Sequence, residues 1–338
     1  MNKTLVARLA ALFCIVVAIS AAVIYFTFDI RTFEYLSMFE PKCILLALVS
    51  LFIGLFFDGM RLITLANVTE EKLSMKQIVN VVLSNYFLAL VTPGASGGAV
   101  AQVMFMRRAG VPVAKSTVVV LVRTIMSIFF LILLVPFVLN FDPDIHDSMS
   151  PWALTLLSIA FSALPVVAFF LMRTEYPEKW IDKCTRRFAY QTRQNCFIWY
   201  REFKQAFVVM GHHPVKMLRA FLESGLSLLF IYGTVPAYFT GLDFDFDLVQ
   251  VMGRMVLLNL VLYFTPTPGG SGVAEAGFVM LFNSFLPPGT VGVMAVLWRF
   301  TAEYLPFLLG AFVTIRAFGS NVINMAQVKT GSTTKDEK

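Results

Sequence analysis

Eight ionisable residues lie inside otherwise apolar stretches of this 338-residue chain: Asp58, Arg61, Arg123, Glu223, Arg254, Glu275, Arg299 and Glu303. Charge is expensive in apolar surroundings, so such residues face a protein interior or a wet path and mark substrate or proton routes. Asp58/Arg61 and Arg299/Glu303 have i,i+3 and i,i+4 spacing, and each pair can neutralise itself on one helix face. For these four, a structural ion pair explains the sequence as well as a transport role does. Arg123, Arg254 and Glu275 have no partner nearby in the sequence. Glu275 with Arg299 and Arg123 is the expected functional core.

These charges accompany a repeated break. Thr92-Pro93-Gly94-Ala95-Ser96-Gly97 returns 175 positions later as Thr267-Pro268-Gly269-Gly270-Ser271-Gly272. Upstream, Leu83-Ser84-Asn85 matches Leu257-Leu258-Asn259; downstream, Val120-Leu121-Val122-Arg123 matches Val296-Leu297-Trp298-Arg299. The chain reads as a duplication, with repeat one over about 43–139 and repeat two over about 217–316. After each break a half-helix is expected to start, at about Gly98 and Val273, with unpaired N–H groups and a positive dipole end. Ser96 and Ser271 are the expected caps, and Asn85 and Asn259 the expected staples of the broken backbone. Two such helix starts facing each other suit an anion, above all a phosphate. No Gly-Lys-Ser/Thr follows the glycines, so these are not nucleotide-binding loops. Tight packing alone is the competing reading of the small residues, but packing does not require Thr-Pro-Gly to break the helix twice.

The elements that must position these groups follow from composition. Hydrophobic residues make up 58% of the chain, charged residues 14%, and the mean hydropathy is +0.75. Soluble domains carry about 25% charged residues, so an all-α polytopic membrane protein is expected. Six apolar runs are long enough to cross: Leu9–Phe28, Cys43–Ala66, Val113–Leu139, Trp152–Met172, Met217–Thr240 and Thr290–Arg316. The first continues through Ile24-Tyr25-Phe26 without an Ala-x-Ala end and reads as a retained anchor. Ile78–Val91 with Ala99–Met106, and Val249–Phe264 with Val273–Leu286, read as two re-entrant hairpins, because irregular backbone at membrane depth needs protein or a wet cavity around it.

Loop charge predicts the orientation. Arg173–Lys216 holds nine Lys or Arg, so it is expected in the cytoplasm with both termini, while the loops around Asp142, Asp144 and Asp147 and around Asp243, Asp245 and Asp247 face outward. Three crossings separate the hairpins, which makes the repeats inverted, the architecture of many secondary transporters. Trp180, Ile181, Cys184 and Phe188 share one face of the cytoplasmic loop, as do Phe197, Tyr200, Phe203 and Phe207; basic residues cover the other sides, as in helices that lie among headgroups. Gly331–Lys338 reads as a polar tail. Cys14, Cys43, Cys184 and Cys196 show no ligand spacing, and His146, His212 and His213 lie outside the apolar runs, so no disulfide, metal or cofactor is expected. The net charge of +6 is no nucleic-acid signal in this setting.

At the breaks the sequence resembles a known family. Thr92-Pro93-Gly94-Ala95-Ser96-Gly97-Gly98-Ala99-Val100-Ala101-Gln102, followed by Arg107-Arg108-Ala109-Gly110, looks like the first signature of the lysylphosphatidylglycerol synthase transmembrane, or flippase-like, family. Pro266 to Glu275 resembles the second signature, Pro-Gly-Gly-x-Gly-x-x-Glu. The resemblance implies a bacterial inner-membrane protein that moves a lipid between leaflets. Anionic or zwitterionic phospholipids and polyprenyl-phosphate lipids are the implied partners. Only Gly319–Lys338 follows the last crossing, so lysyl transfer is not expected. Ala99-Val100 replaces the more polar pair that many relatives carry ahead of the Gln.

Three functions compete. The first is a transporter moving a lipid headgroup through a polar cavity between the repeats, with Asp58, Arg61, Thr92, Gly94, Ser96, Gly97, Gln102, Arg123, Arg254, Thr267, Gly269, Gly270, Ser271, Gly272, Glu275, Arg299 and Glu303 at the site and Asn85, Asn259, Pro93 and Pro268 supporting it. The second is a lipid-modifying membrane enzyme, which would have only Glu275 as an intramembrane base. The third is a scaffold of an envelope lipid or glycan pathway docking through Arg173–Lys216.

Overall fold

The computed structural model describes residues 41–317 apart from 93, 149, 173, 175, 187–189, 243, 285 and 288. The expected crossing Leu9–Phe28, the tail Gly331–Lys338, Pro93 and Asp243 lie outside the described residues. So do Cys14 and the side chains of Phe188, Phe203 and Phe207.

The protein is an all-α polytopic membrane protein, with no strand among the described residues. In chain order the elements are α1 (Pro41–Val68), α2 (Met75–Val91), α3 (Ser96–Arg108), α4 (Val113–Phe141), α5 (Pro143–Ser148), α6 (Pro151–Met172), α7 (Tyr176–Thr185), α8 (Tyr190–His212), α9 (Pro214–Tyr232), α10 (Thr234–Phe239), α11 (Leu248–Tyr263), α12 (Val273–Phe282) and α13 (Val291–Arg299). A π-helical turn over Phe300–Tyr304 carries α13 onward, so that one span runs Val291–Ala317.

Four helices are long and apolar enough to cross: Pro41–Val68, Val113–Phe141, Pro214–Phe239 and Val291–Ala317. At about 1.5 Å per residue, the 28 residues of α1 reach well beyond the ~30 Å hydrocarbon core. Of the remaining expected crossings, Trp152–Met172 falls on α6, 22 residues long. The 17, 13, 16 and 10 residues of α2, α3, α11 and α12 are shorter, and each pair is interrupted at a Thr-Pro-Gly break.

The helices pack by the rules of apolar surroundings. On α1, Cys43, Ala47, Leu51, Gly54, Asp58 and Arg61 recur every three or four residues and are buried, while Phe52 and Phe56 on the other side are 54% and 56% exposed. Exposed aromatics on such a helix are its lipid face. Small residues set the closest approaches, because dispersion without a hydrophobic drive rewards backbone proximity. A Cβ on Gly54 would sit 3.0 Å from the Ser227 carbonyl on α9, and one on Gly310 would sit 2.1 Å from the Leu83 carbonyl on α2.

The residues divide into two compact units. One holds Val79–Phe105 and, from Thr265 on, the described remainder. The other holds the described residues up to Ile78 together with Met106–Phe264. Each unit draws on both sequence repeats. Both breaks fall in the first unit, as do α2 from Val79 and α3 as far as Phe105. In the second hairpin α11 belongs to one unit and α12 to the other. In the loop region, α7 and α8 are helices tied by Lys204 to Glu178 at 3.2 Å, and Trp180 is 70% exposed while Tyr200 is buried.

Candidate functional site

The second break packs against the end of α2. A Cβ on Gly269 would lie 2.4 Å from Leu90 Cδ1 and 3.1 Å from the Leu90 carbonyl oxygen, two residues before Thr92. Gly269 also has φ +56, a conformation that costs an L residue about 1 kcal/mol or more. Glycine is therefore required there on two independent grounds. Gly94, Gly270 and Gly272 share positive φ, as does Ala95 at φ 53.

Local side chains satisfy the broken backbone. In the first break Thr92 Oγ1 donates to the Leu88 carbonyl at 2.7 Å and accepts the Gly97 N–H at 2.8 Å. Gln102 Nε2 donates to Asn85 Oδ1 at 2.8 Å and so ties α3 to α2. In the second break Thr267 Oγ1 donates to the Ser271 carbonyl at 3.1 Å. The caps differ from the sequence expectation. Thr92 caps α3 at Gly97, and Ser271 donates to the Pro268 carbonyl at 2.7 Å, one position before the cap. Asn259 does not staple the second break; its amide donates at 2.9 Å to Met255 one turn back on α11. Threonine and serine hydroxyls serve carbonyls as readily as N–H groups, so spacing alone did not separate the roles.

The Glu275 carboxylate receives the Gly272 N–H at 2.7 Å. The start of α12 is thus not an open anion site, because its own residue at the third helical position fills it, as the dipole favours. The other oxygen of Glu275 accepts Arg299 Nε at 3.0 Å. Arg299 also donates to the Gly269 carbonyl at 3.0 Å and pairs through its third nitrogen with Glu303. One guanidinium therefore joins the break, the half-helix start and the π-helical turn, with Tyr304 5.7 Å from it. The side chains of Arg299 and Glu275 are 1% and 2% exposed, and that of Glu303 is 23% exposed. The π-helical turn adds one residue per turn at this position; such bulges concentrate at functional sites.

The second unit holds a complementary group. Asp58 is sandwiched between Arg61 and Arg123, and Arg123 Nε lies 3.2 Å from it. Arg61 also donates to Ser127 on α4 at 2.6 Å and to Ser224 on α9 at 3.1 Å. All three charged residues are less than 10% exposed. Arg123 was expected beside Glu275; it belongs instead to the Asp58 group in the other unit. The matching repeat positions of Arg123 and Arg299 carry opposite surroundings, two guanidiniums on one carboxylate against two carboxylates on one guanidinium.

Arg254 also finds partners. It donates to Asp142 at 2.7 Å and 3.1 Å and pairs with Asp144, linking α11 to the end of α4. Burial pushes the Asp142 carboxyl up, but the Arg254 hydrogen bonds and charge, with Gln250 and the Ile145 N–H, more than reverse this and hold it below the usual carboxylate range. Arg254 thus serves as a strut at the expected outer end. Glu223 pairs with Arg219 at 2.8 Å, one turn earlier. Ser127, Ser224 and Asp142 escaped the sequence reading: hydroxyls in an apolar helix are common, and Asp142 read as loop. Among the described residues no three His, Cys, Asp or Glu side chains are placed to hold a metal ion.

Comparison with known proteins agrees with this architecture. An archaeal relative from Archaeoglobus fulgidus, described as a UPF0104 membrane protein, is 23% identical over 266 residues, covering 75% of this chain and 80% of its own. A profile of the lysylphosphatidylglycerol synthase transmembrane region matches residues 13–310, across both breaks and both buried charge groups. The chain belongs to the lysylphosphatidylglycerol synthase transmembrane-region family.

Proposed function

We propose that this protein moves the headgroup of a phosphate-bearing lipid, an anionic or zwitterionic phospholipid or a polyprenyl phosphate, between membrane leaflets, and that it does so as a transporter rather than as an enzyme. The carrying observation is the buried Glu275–Arg299–Glu303 group on the broken backbone. A headgroup crossing hydrocarbon must exchange its water for protein donors and acceptors, because a bare charge there costs several kcal/mol or more. Arg299 supplies a forked donor that matches phosphate geometry. Glu303, its partly exposed partner, is the arm that a phosphate displaces. The Asp58–Arg61–Arg123 group, with one guanidinium in excess of its carboxylates, provides a second stop for an anion. We further propose a plasma-membrane location with the basic Arg173–Lys216 segment and both termini in the cytoplasm, and inverted repeats as the basis of alternating access.

The test is translocation in proteoliposomes. Headgroup-labelled anionic and zwitterionic lipids are scored by accessibility to a membrane-impermeant quencher, at matched reconstitution of wild type, Glu275→Gln and Arg299→Ala. Movement in wild type that falls at least tenfold in both variants supports the reading. Folded variants that move lipid as fast as wild type would sink it.

A further inference from the structure

A cavity of about 520 Å³ opens in the second unit, where the end of α1, the start of α4 and the end of α8 converge. None of its residues belongs to the charge groups above. Its wall is Val68, Ala114, Val118 and Val209; its polar rim is Thr69, Lys115, Gln205, His212 and His213. We infer that this cavity is a binding site for an anionic phospholipid, with the glycerol and upper acyl chains against the valines and the phosphate against Lys115 and the histidines.

Three observations carry this. The cavity lies at the ends of two membrane-crossing helices, α1 and α4, so it opens at headgroup depth. The exposed residues beside it alternate in the manner of an interface, with Val215 80% and Leu218 60% exposed around Lys216. The charges complement a phosphate. Lys115 is held by Glu71 at 2.8 Å, but the two side chains are 42% and 22% exposed, and such a pair contributes only about 0–1 kcal/mol. A lipid phosphate can therefore take over Lys115. Lys216 Nζ spends one donor on the Asn67 carbonyl at 3.3 Å and has two more. His212 Nδ1–H donates to the Val208 carbonyl at 2.7 Å, so Nε2 offers a donor to a phosphate when the ring is cationic. The volume is within the usual range of small-molecule sites, roughly 300–1,000 Å³. That fits a headgroup and glycerol but not whole acyl chains, which would extend into the bilayer.

Native mass spectrometry of the whole purified chain tests this, with short-chain phosphatidylglycerol and phosphatidylcholine as probes. Phosphatidylglycerol is expected to bind at least tenfold more tightly. Lys115→Gln and Lys216→Gln should each weaken it about fivefold, the worth of one interfacial basic residue. Glu71→Gln should tighten it by releasing Lys115, which keeps the test decisive if a lysine variant folds poorly. Arg186→Gln, the same charge change at an exposed position just after α7, should leave binding unaltered. Equal binding of the two lipids, or equal loss on Arg186→Gln, would overturn the inference. Displacement of the lipid by millimolar inorganic phosphate would overturn it too, by making the site one for a free anion.

Discussion

Arg299 holds three acceptors in three directions, and its replacement by lysine isolates what that geometry contributes. The guanidinium reaches Glu275 through Nε at 3.0 Å, Gly269 at 3.0 Å and Glu303 through the remaining nitrogen. Lysine keeps the charge but gathers its donors on one atom, so it serves two of these acceptors at best. A lost bond to the Gly269 carbonyl costs about 0.5–1.5 kcal/mol, and a lost charge-assisted bond costs about 1.5–3 kcal/mol. Arg299→Lys is therefore expected to destabilise the protein by about 0.5–3 kcal/mol, according to which acceptor is lost. Arg299→Leu leaves two carboxylates beside each other without a cation, and breaking a buried pair costs about 3–5 kcal/mol. Adding Glu275→Gln to Arg299→Leu removes one of the two uncompensated carboxylates and should recover part of the loss. The coupling across this double-mutant cycle is expected to exceed about 1 kcal/mol, within the range of directly contacting residues. Unfolding in mixed micelles under increasing sodium dodecyl sulfate, followed by helical circular dichroism, gives the ranking. Translocation on the same preparations separates stability from transport. Lysine as stable and active as wild type would refute the argument from fork geometry. A double variant no more stable than Arg299→Leu would refute the argument from the uncompensated carboxylates.

Four further outcomes follow from the same contacts. Asp58→Asn leaves Arg61 and Arg123 buried together and should cost about 3–5 kcal/mol, with part restored in Asp58→Asn/Arg123→Gln, read by thermal melting. Thr92→Val removes the acceptor of the Gly97 N–H and should cost about 1 kcal/mol, whereas Thr92→Ser should be nearly neutral, read by the same melt. Gly310→Ala drives a Cβ to 2.1 Å from the Leu83 carbonyl and should abolish the monodisperse peak in size-exclusion chromatography. Asp142 titrates below its unfolded value of about 3.9, so its pairing with Arg254 stabilises the protein above that pH and is lost as pH falls through the folded value. Wild-type melting should therefore drop steeply below about pH 4, and Asp142→Asn should be flatter there but less stable at neutral pH.

How much was legible in the sequence differs from group to group. Asp58/Arg61 and Arg299/Glu303 were readable because helical spacing places i,i+3 and i,i+4 residues side by side. Asn85 was readable as a staple of the first break, and its repeat counterpart Asn259 was not, since its partner depends on what the local backbone leaves unpaired. Ser127 and Ser224 carry no pattern: a serine in an apolar helix points to a guanidinium or to its own backbone according to the helix's rotation. The break threonines show the same limit, because Thr92 and Thr267 have equivalent places in the repeat and different roles, the first accepting the Gly97 N–H and the second donating to the Ser271 carbonyl.

The sequence by itself determined the membrane class, four of the helical spans, the paired breaks and most of the buried charges, because hydropathy, helical period and proline or glycine chemistry act over one or two turns. Only the tertiary structure decided which charge meets which. Arg123 and Asp58 are 65 residues apart, and Arg254 and Asp142 are 112. Such pairings depend on the rotation and register of whole helices, which are set by close packing at small residues such as Gly54 and Gly310. That is why the arginines at matching repeat positions look identical in sequence and occupy opposite electrostatic settings in the fold.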